Sequence, residues 1–180
     1  MFTPHQSTYF AHWLTQSGKI ENQVFRAMAS ARVDMNPHQI DAACFALKSP
    51  LEQGVLLADE VGLGKTIEAS LVMAQKWAEC KRNILLIVPA SLRKQWSQEL
   101  RDKFELPSII IDGKVAASLK KEGKTNPFDQ NGQIVICSYE FAARQQDGVR
   151  LVSWHLVVFD EAHKLRNLYL ASGSKRAKAL

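Results

Sequence analysis

The stretch "GVLLADEVGLGKTIEA", residues 54–69, decides the expected fold of this chain. It opens with an apolar run at 54–58, passes through a turn containing Gly62 and Gly64, and continues from Lys65 with helical spacing of its apolar residues. Proteins commonly bind a phosphate group with a strand, a glycine-rich turn and a helix, because the N-terminal amides and the positive end of the helix dipole face the anion. The stretch therefore predicts a phosphate-binding loop.

The two residues after Gly64 carry the chemistry of this loop. We expect the Lys65 ammonium to reach the β and γ phosphates of a nucleotide, and the Thr66 hydroxyl to be a ligand of Mg²⁺. One position departs from the strict pattern GxxxxGK[ST], since Asp59 stands where that pattern has glycine. On the loop alone, a plain glycine turn with a solvated lysine remains an alternative.

Downstream, short apolar runs alternate with amphipathic segments. This alternation predicts a parallel sheet covered by helices on both faces, which is an α/β three-layer domain. The expected strands, besides 54–58, are 83–89, 108–112, 133–138 and 155–160, and the expected helices are 65–80, 91–104 and 139–146. A lysine-rich segment at 114–124 receives no element, and residues 121–132 are expected to form an exposed loop.

The two ends of the chain carry no chemical signature. Residues 1–35 are expected to form N-terminal packing helices, and Asn36 before Pro37 predicts the start of a helix ending near Ser49. Residues 36–180 are expected to form the α/β domain. The last residues look like a helix cut off in its second turn, which suggests an excised piece.

Composition limits the class of protein. The net charge of +5 permits attraction to a polyanion, and the longest apolar runs are too short to span a bilayer. We expect a cytoplasmic protein that does not enter a membrane. Its three cysteines form no CxxC pair and are expected to be reduced thiols.

A second motif is "LVVFDEAH" at 156–163, an apolar strand that ends in two adjacent acids. Open α/β sheets bind ligands at the carboxyl ends of their strands, where Asp160 and Glu161 would stand. Asp160 suits holding Mg²⁺ through its water shell, and Glu161 suits activating the attacking water as a general base. A surface turn is the alternative for this motif alone, but together with the loop it predicts a nucleoside triphosphate site.

Five segments together resemble the Swi/Snf family of nucleic-acid-dependent ATPases in helicase superfamily two, including its bacterial RapA-like members. They are "NPHQIDA" (36–42, similar to the Q motif), "DEVGLGKTIEA" (59–69, motif I), "LLIVPASLRKQW" (85–96, motif Ia), "ICSYE" (136–140, motif Ib) and "DEAH" (160–163, motif II). The resemblance implies a first RecA-like ATP-binding lobe, truncated before its end. It also accounts for Asp59, because the family's motif I begins with Asp-Glu.

The resemblance assigns further roles in binding ATP and Mg²⁺. Gln39 would hydrogen-bond the adenine edge, and His163 would couple the γ-phosphate site to a neighbouring lobe; an exposed helical glutamine and a plain surface histidine are the alternatives. Glu60 and Glu68 receive no catalytic role, since both can be solvated helix-entry acids. The implied nucleotide-binding positions are Gln39, Asp59, Gly62, Leu63, Gly64, Lys65 and Thr66.

The resemblance also implies nucleic-acid contacts at strand ends, where hydroxyls, amides and basic groups hold phosphates without reading bases. Lys120, Lys121 and Lys124 would extend this track or form a solvated loop, whereas Trp77 and Trp96 are expected to be packing residues. The implied contacts are Ser91, Arg93, Lys94, Ser138 and Tyr139.

The motif I letters favour double-stranded DNA as the partner, because the RNA helicases named for Asp-Glu-Ala-His resemble a different loop. The expected function is that of a lobe of a DNA-dependent ATPase or translocase. Alternatives are an RNA-directed helicase lobe, and a non-enzymatic fragment that docks on RNA polymerase. No segment matches a second lobe with its arginine fingers, so the chain alone is expected to bind ATP with little turnover.

Overall fold

In a computed structural model of the chain, the described residues are 31–32, 36–48, 54–58 and 64–165. The chain divides into two compact units, one of residues 1–80 with 103–105 and the other of residues 81–102 with 106–180. The helices expected near the two termini fall almost wholly outside the described residues. Within the described part, no helix is long and apolar enough to cross a membrane.

The first unit contains two helices that pack against each other. Helix α1 spans Pro37–Lys48 and helix α2 spans Lys65–Ala78. Ile40 and Ala43 of α1 are buried at the i, i+3 spacing of an apolar helix face, and α2 is buried at every position of 70–75. Both helices agree with the sequence prediction, including the start of α1 at Pro37.

The strand expected at 54–58 is not formed. None of its five residues belongs to a strand, and the side chain of Leu56 is 74% exposed. An apolar run becomes a strand only when a neighbouring strand accepts its hydrogen bonds, and the four strands that do form a sheet lie elsewhere in the sequence. The apolar character of this run alone was therefore not enough to predict a strand.

The second unit is built on a sheet of four parallel strands in the order β2-β3-β1-β4. Its register is set by pairs such as Ile87 with Cys137 on one side and Ile87 with Phe159 on the other. The strands are β1 (Ile84–Val88), β2 (Ser108–Ile110), β3 (Ile134–Ser138) and β4 (Leu156–Phe159). All four strands were predicted, and each is one or two residues shorter than expected.

Helices connect these strands. They are α3 (Arg93–Phe104), α4 (Gly113–Lys121), α5 (Tyr139–Arg144) and α6 (Gln146–Arg150), followed by a short 3₁₀ helix (Ala162–Leu165). Helix α4 was not predicted. Its start is fixed by the carboxylate of Asp112, which accepts hydrogen bonds from the N–H groups of Lys114 and Val115. The helix predicted at 139–146 corresponds to α5, which ends two residues earlier, and α6 was not predicted.

The core of the second unit lies against one face of the sheet. Leu85 and Ile87 of β1 and Val135 and Cys137 of β3 form its floor. All five residues of β1 are buried, so the strand is covered on both faces, as a central parallel strand requires. Side chains from helices and loops complete this cluster: Ile111, Leu119, Phe128, Tyr139, Phe141 and Ala142.

The expected loop at 121–132 is only partly exposed. Residues 121–125 are exposed, but Phe128 is fully buried, with its ring centroid 5.8 Å from that of Phe141. The Asn126 side-chain amide donates to the carbonyl oxygen of Gly148 at 2.7 Å. One apolar and one polar contact therefore tie the second half of this loop to the core.

Candidate functional site

The described part of the predicted phosphate loop is the start of helix α2. Gly64 precedes the helix in left-handed backbone, with φ of +89°, and its carbonyl oxygen accepts the N–H of Ile67 at 2.7 Å. Glycine adopts this conformation without steric cost. Because glycine has no side chain to cap the helix, the first N–H groups of α2 remain suited to binding an anion.

Lys65 and Thr66 are the first two residues of α2, and both are partly buried. Glu68 is fully buried one turn into the helix, so it is not the solvated acid that the sequence allowed. The predicted nucleotide-binding positions Asp59, Gly62 and Leu63 lie outside the described residues. Their roles stay predictions.

Gln39 lies against this turn within the first unit. A Cβ atom added at Gly64 would overlap the Gln39 side-chain nitrogen Nε2. The Gln39 oxygen Oε1 accepts the N–H of Asn36 at 3.0 Å, and the Gln39 N–H donates to the Asn36 carbonyl oxygen at 3.0 Å at the start of α1. Gln39 is thus buried and ordered by the helix start. The structure does not test its predicted role with adenine.

Asp160 directly follows β4 in the second unit and is held at three of its atoms. Its N–H donates to the carbonyl oxygen of Ile87 in the adjacent strand at 3.0 Å. Its carboxylate oxygen Oδ2 accepts the indole N–H of Trp96 at 2.8 Å, and its carbonyl oxygen accepts the Tyr139 hydroxyl at 2.7 Å. Elements that are far apart in sequence therefore fix both the backbone and the side chain of Asp160.

Glu161 adopts left-handed backbone with φ of +56°, which is uncommon for a residue with a side chain. Its exposed carboxylate oxygen Oε2 lies 2.9 Å from Nδ1 of His163. The left-handed turn separates Glu161 from Asp160, so that one acid is held by the core and the other faces solvent. This division suits two different chemical roles.

Tyr139, one of the predicted nucleic-acid contacts, is buried in the second unit. Its ring is buried, with only 1% of the residue exposed, and it stacks on Phe159 with ring centroids 6.2 Å apart. Burial raises the pKa of the Tyr139 phenol, and the negative charges of Asp160 and Glu161 raise it further, so the hydroxyl stays a hydrogen-bond donor. This burial disagrees with a nucleic-acid contact through the side chain.

The other predicted nucleic-acid contacts fall into two groups. Ser91 and Lys94 are exposed at the carboxyl end of β1, while Arg93 is partly buried and donates from Nε to the carbonyl oxygen of Ala90. Ser138 is buried, and its Oγ accepts the N–H of Phe141 as the cap of α5. Of these residues, Ser91 and Lys94 are the ones whose side chains are fully available at the surface.

The lysines near α4 also fall into two groups. Lys120 and Lys121 are exposed in the last turn of α4, whereas the Lys124 ammonium donates to Oε1 of Gln130 at 3.1 Å. A continuous basic track would need all three ammonium groups to face the same ligand. The hydrogen bond of Lys124 favours a structural role for that residue.

Trp96 is the functional candidate that sequence reasoning missed. It was expected to be a packing residue, and it is indeed 4% exposed, but its indole N–H binds a residue of motif II. A buried tryptophan normally has a hydrogen-bond acceptor for its indole N–H group, so its burial predicts that such an acceptor exists. The partner itself cannot be identified from sequence, because it lies 64 positions away.

The donor chemistry available at these positions fits Mg²⁺ that arrives with a nucleotide. Mg²⁺ is usually bound by one or two carboxylates together with phosphates and several waters. Within the first unit Thr66 offers a hydroxyl, and within the second unit Asp160 offers a carboxylate. Among the described residues, no three His, Cys, Asp or Glu side chains come together as an all-protein metal cage.

Comparison with known proteins identifies the family. The sequence profile of the SNF2-related domain matches residues 38–180. The chain is 37% identical over 156 residues to the RNA polymerase-associated protein RapA of Yersinia enterocolitica, and equally to that of Yersinia pseudotuberculosis. Each match covers 82% of this chain, which spans 16% of the length of these curated relatives.

The fold agrees with a solved structure. The SWI2/SNF2 ATPase core of Sulfolobus solfataricus, in complex with double-stranded DNA, superposes with a TM-score of 0.67 at 25% sequence identity. The similarity covers 83% of this chain and 30% of that one. The chain therefore belongs to the SNF2-related domain family and has the RecA-like α/β fold of the Swi/Snf helicase-like ATPases.

Proposed function

We propose that this chain is the ATP-binding lobe of a DNA-dependent ATPase of the Swi/Snf type, which hydrolyses ATP to move on duplex DNA. The observation that carries the proposal is that one SNF2-related domain contains both the Gly64–Thr66 helix start and the fixed acid after β4. The helix start suits binding a phosphate group, and Asp160 suits binding the Mg²⁺ ion that accompanies the phosphate.

Each of these residues has a distinct role in the proposed reaction. The first N–H groups of α2 and the Lys65 ammonium bind the phosphates, and Gln39 hydrogen-bonds the adenine edge. Thr66 and Asp160 hold Mg²⁺, Asp160 through its water shell. When bound, the ion neutralises charge that develops on the β and γ phosphates.

Glu161 is the proposed general base. Its carboxylate is exposed and therefore accessible to a water molecule, from which it takes a proton. His163 stands 2.9 Å from this carboxylate and orients it. We propose that His163 links the γ-phosphate site to a neighbouring lobe through this contact.

Duplex DNA is the proposed nucleic-acid partner. Ser91 and Lys94 are exposed at the end of β1, and the net charge of +5 favours a polyanion. The Sulfolobus relative was solved with double-stranded DNA, which supports the choice of duplex. The relatives' name, RNA polymerase-associated protein, supports a second candidate, docking on RNA polymerase. We propose that the protein acts in the cytoplasm.

ATP turnover with different nucleic acids tests the proposal. In the protein as the cell makes it, duplex DNA should stimulate hydrolysis at least tenfold, while duplex RNA of the same sequence should stimulate it far less. The 180-residue chain alone should turn over slowly, since arginine fingers from a second lobe contribute about 10³-fold or more.

A substitution at the proposed base makes this test sharper. Glu161→Gln should retain ATP binding and lose hydrolysis, because glutamine does not accept the proton. Glu122→Gln, at an exposed position that ends α4, is the matched control and should hydrolyse ATP normally. Stimulation by RNA but not DNA would support the RNA-directed alternative. Tight binding to RNA polymerase without any nucleotide affinity would favour the docking role.

A further inference from the structure

The contacts around Asp160 come from the two segments that follow β1 and β3. Trp96 lies in the first turn of α3, and Tyr139 is the first residue of α5. Both donate to Asp160, one to the carboxylate and one to the carbonyl oxygen. Neither side chain has a role in the proposed reaction so far.

The Trp96 hydrogen bond is stronger than an ordinary surface contact. Its acceptor is a carboxylate oxygen, and its donor is almost completely shielded from water. A hydrogen bond shielded from water is electrostatically stronger than one in contact with water. The bond therefore restricts rotation of the carboxylate about its last torsion angle.

A carboxylate has two oxygen atoms, and the indole engages only Oδ2. Trp96 donates to this carboxylate from α3, which is distant from Asp160 in sequence. The bond to Oδ2 therefore also fixes the angle at which the second oxygen, Oδ1, extends. A water molecule of a hydrated ion is the ligand that such an oxygen accepts.

We propose that Trp96 and Tyr139 are positioning residues for Asp160. Trp96 sets the orientation of the carboxylate by binding Oδ2, and Tyr139 fixes the backbone from which the side chain extends. This inference rests on the proposed function insofar as it concerns Mg²⁺, but the two contacts themselves can be tested without any nucleotide.

Nuclear magnetic resonance of the indole N–H groups tests the contact directly. The chain has four tryptophans, so a ¹⁵N–¹H spectrum should show four indole peaks, and Trp96→Phe assigns one of them. Asp160→Ala should shift the Trp96 peak. It should leave the peak of Trp154 unchanged, because the Trp154 indole donates to the carbonyl oxygen of Val149. A Trp96 peak that does not move would overturn the inference.

The Mg²⁺ dependence of ATP binding tests the positioning role. Trp96→Phe keeps an aromatic ring in the core but removes the donor, so the Mg²⁺ concentration required for half-maximal stimulation of ATP binding should rise about tenfold. ATP affinity without Mg²⁺ should stay unchanged, which a general loss of structure would not allow. Tyr139→Phe should act in the same direction with a smaller effect.

Trp154→Phe is the matched control, since it removes an indole hydrogen bond of the same unit that does not involve Asp160. If Trp96→Phe and Trp154→Phe showed the same Mg²⁺ dependence as the unmodified chain, the positioning role would be wrong. If the unmodified chain itself bound ATP without any response to Mg²⁺, the proposed function would fail instead. The indole spectrum would then still decide whether Trp96 holds Asp160.

Discussion

The Gly64–Thr66 turn and the Asp160–Glu161 turn both pass through left-handed backbone, but different kinds of residue occupy it. Gly64 has φ of +89° before α2, and Glu161 has φ of +56° after β4. Glycine adopts this region freely, whereas a residue with a Cβ loses about 1–2 kcal/mol there. The first turn is thus relaxed and the second is strained.

The two turns also differ in what holds them. Gly64 is positioned by its own helix and by nearby Gln39 in the first unit. Asp160 is positioned by Ile87, Trp96 and Tyr139, which come from three other elements of the second unit. Local backbone geometry positions the Gly64–Thr66 turn, whereas contacts between residues distant in sequence position the Asp160–Glu161 turn. A strained glutamate is tolerated where packing is strong enough to impose it.

The largest expected effect tests the packing beneath the acid turn. Ile87→Ala should lower the free energy of unfolding of the second unit by about 2–5 kcal/mol, because it leaves a cavity in a fully buried strand. Urea denaturation measures this change. Val157→Ala, on the partly exposed strand β4, is the control. It should cost less than about 1 kcal/mol, because the Val157 side chain buries less apolar area. Equal losses would contradict the asymmetry between these strands.

A smaller effect is expected at the relaxed turn. Gly64→Ala should destabilise the first unit by about 2 kcal/mol, from left-handed strain and from overlap with Gln39. Gly123 has φ of +88° but nothing near its missing Cβ, so Gly123→Ala should cost only about 1 kcal/mol. Chemical denaturation measures both losses. Their difference gives the cost of the overlap with Gln39, because both variants carry the left-handed strain. A Gly64 variant no worse than the Gly123 variant would remove Gln39 from the description of this turn.

Alkaline pH should weaken the sheet that supports the acid turn. Cys137 pairs with Ile87 in the sheet, and burial raises its pKa to about 12 from an ordinary value of 9.0. Folding therefore favours the neutral thiol. This stability is fully present below pH 9 and is lost as the pH rises from 9 towards 12, by about 1 kcal/mol at pH 10.

Denaturation at pH 8 and pH 10 measures this loss against Cys137→Ala, which lacks the titrating thiol. The unmodified chain should lose about 1 kcal/mol more than the variant between the two pH values. Cys80→Ala, at an exposed cysteine, is the control for the loss of a thiol in general. Identical pH profiles for the chain and the Cys137 variant would mean that this thiol ionises in the folded sheet.

The smallest effect concerns the strained glutamate. Glu161→Gly should raise the free energy of unfolding by about 0.5 kcal/mol, because relief of left-handed strain slightly exceeds the added flexibility of glycine. Glu161→Gln keeps the Cβ atom and should not be stabilised. Thermal unfolding of the two variants gives the comparison. A glycine variant less stable than the glutamine variant would show that the turn carries no strain.

The same contrast explains which features could be predicted from sequence. Lys65 and Thr66 were placed correctly at the start of a helix, since glycine turns and apolar periodicity are local signals. The buried strands β1 and β3 were predicted because short continuous apolar runs mark central parallel strands. The run 54–58 has the same composition but forms no strand, because pairing depends on a partner that composition does not specify.

Two further misses have physical causes of the same kind. Helix α4 was hidden by its lysines, although Asp112 caps it and Leu119 anchors it in the core. The roles of Trp96 and Tyr139 depend on contacts with Asp160, which only the folded sheet brings to them. Sequence therefore identified the chemical groups of the acid turn but not the residues that hold them.

Titration of the chain with ATP, in the presence and absence of Mg²⁺, tests the central claim most directly. Lys65→Ala should abolish binding under both conditions, because the lysine contacts the phosphates themselves. Asp160→Ala should retain the Mg²⁺-free affinity and lose the gain that Mg²⁺ provides. Unchanged affinity in Lys65→Ala, or an undiminished Mg²⁺ response in Asp160→Ala, would contradict the assignment of these two turns to an ATP site.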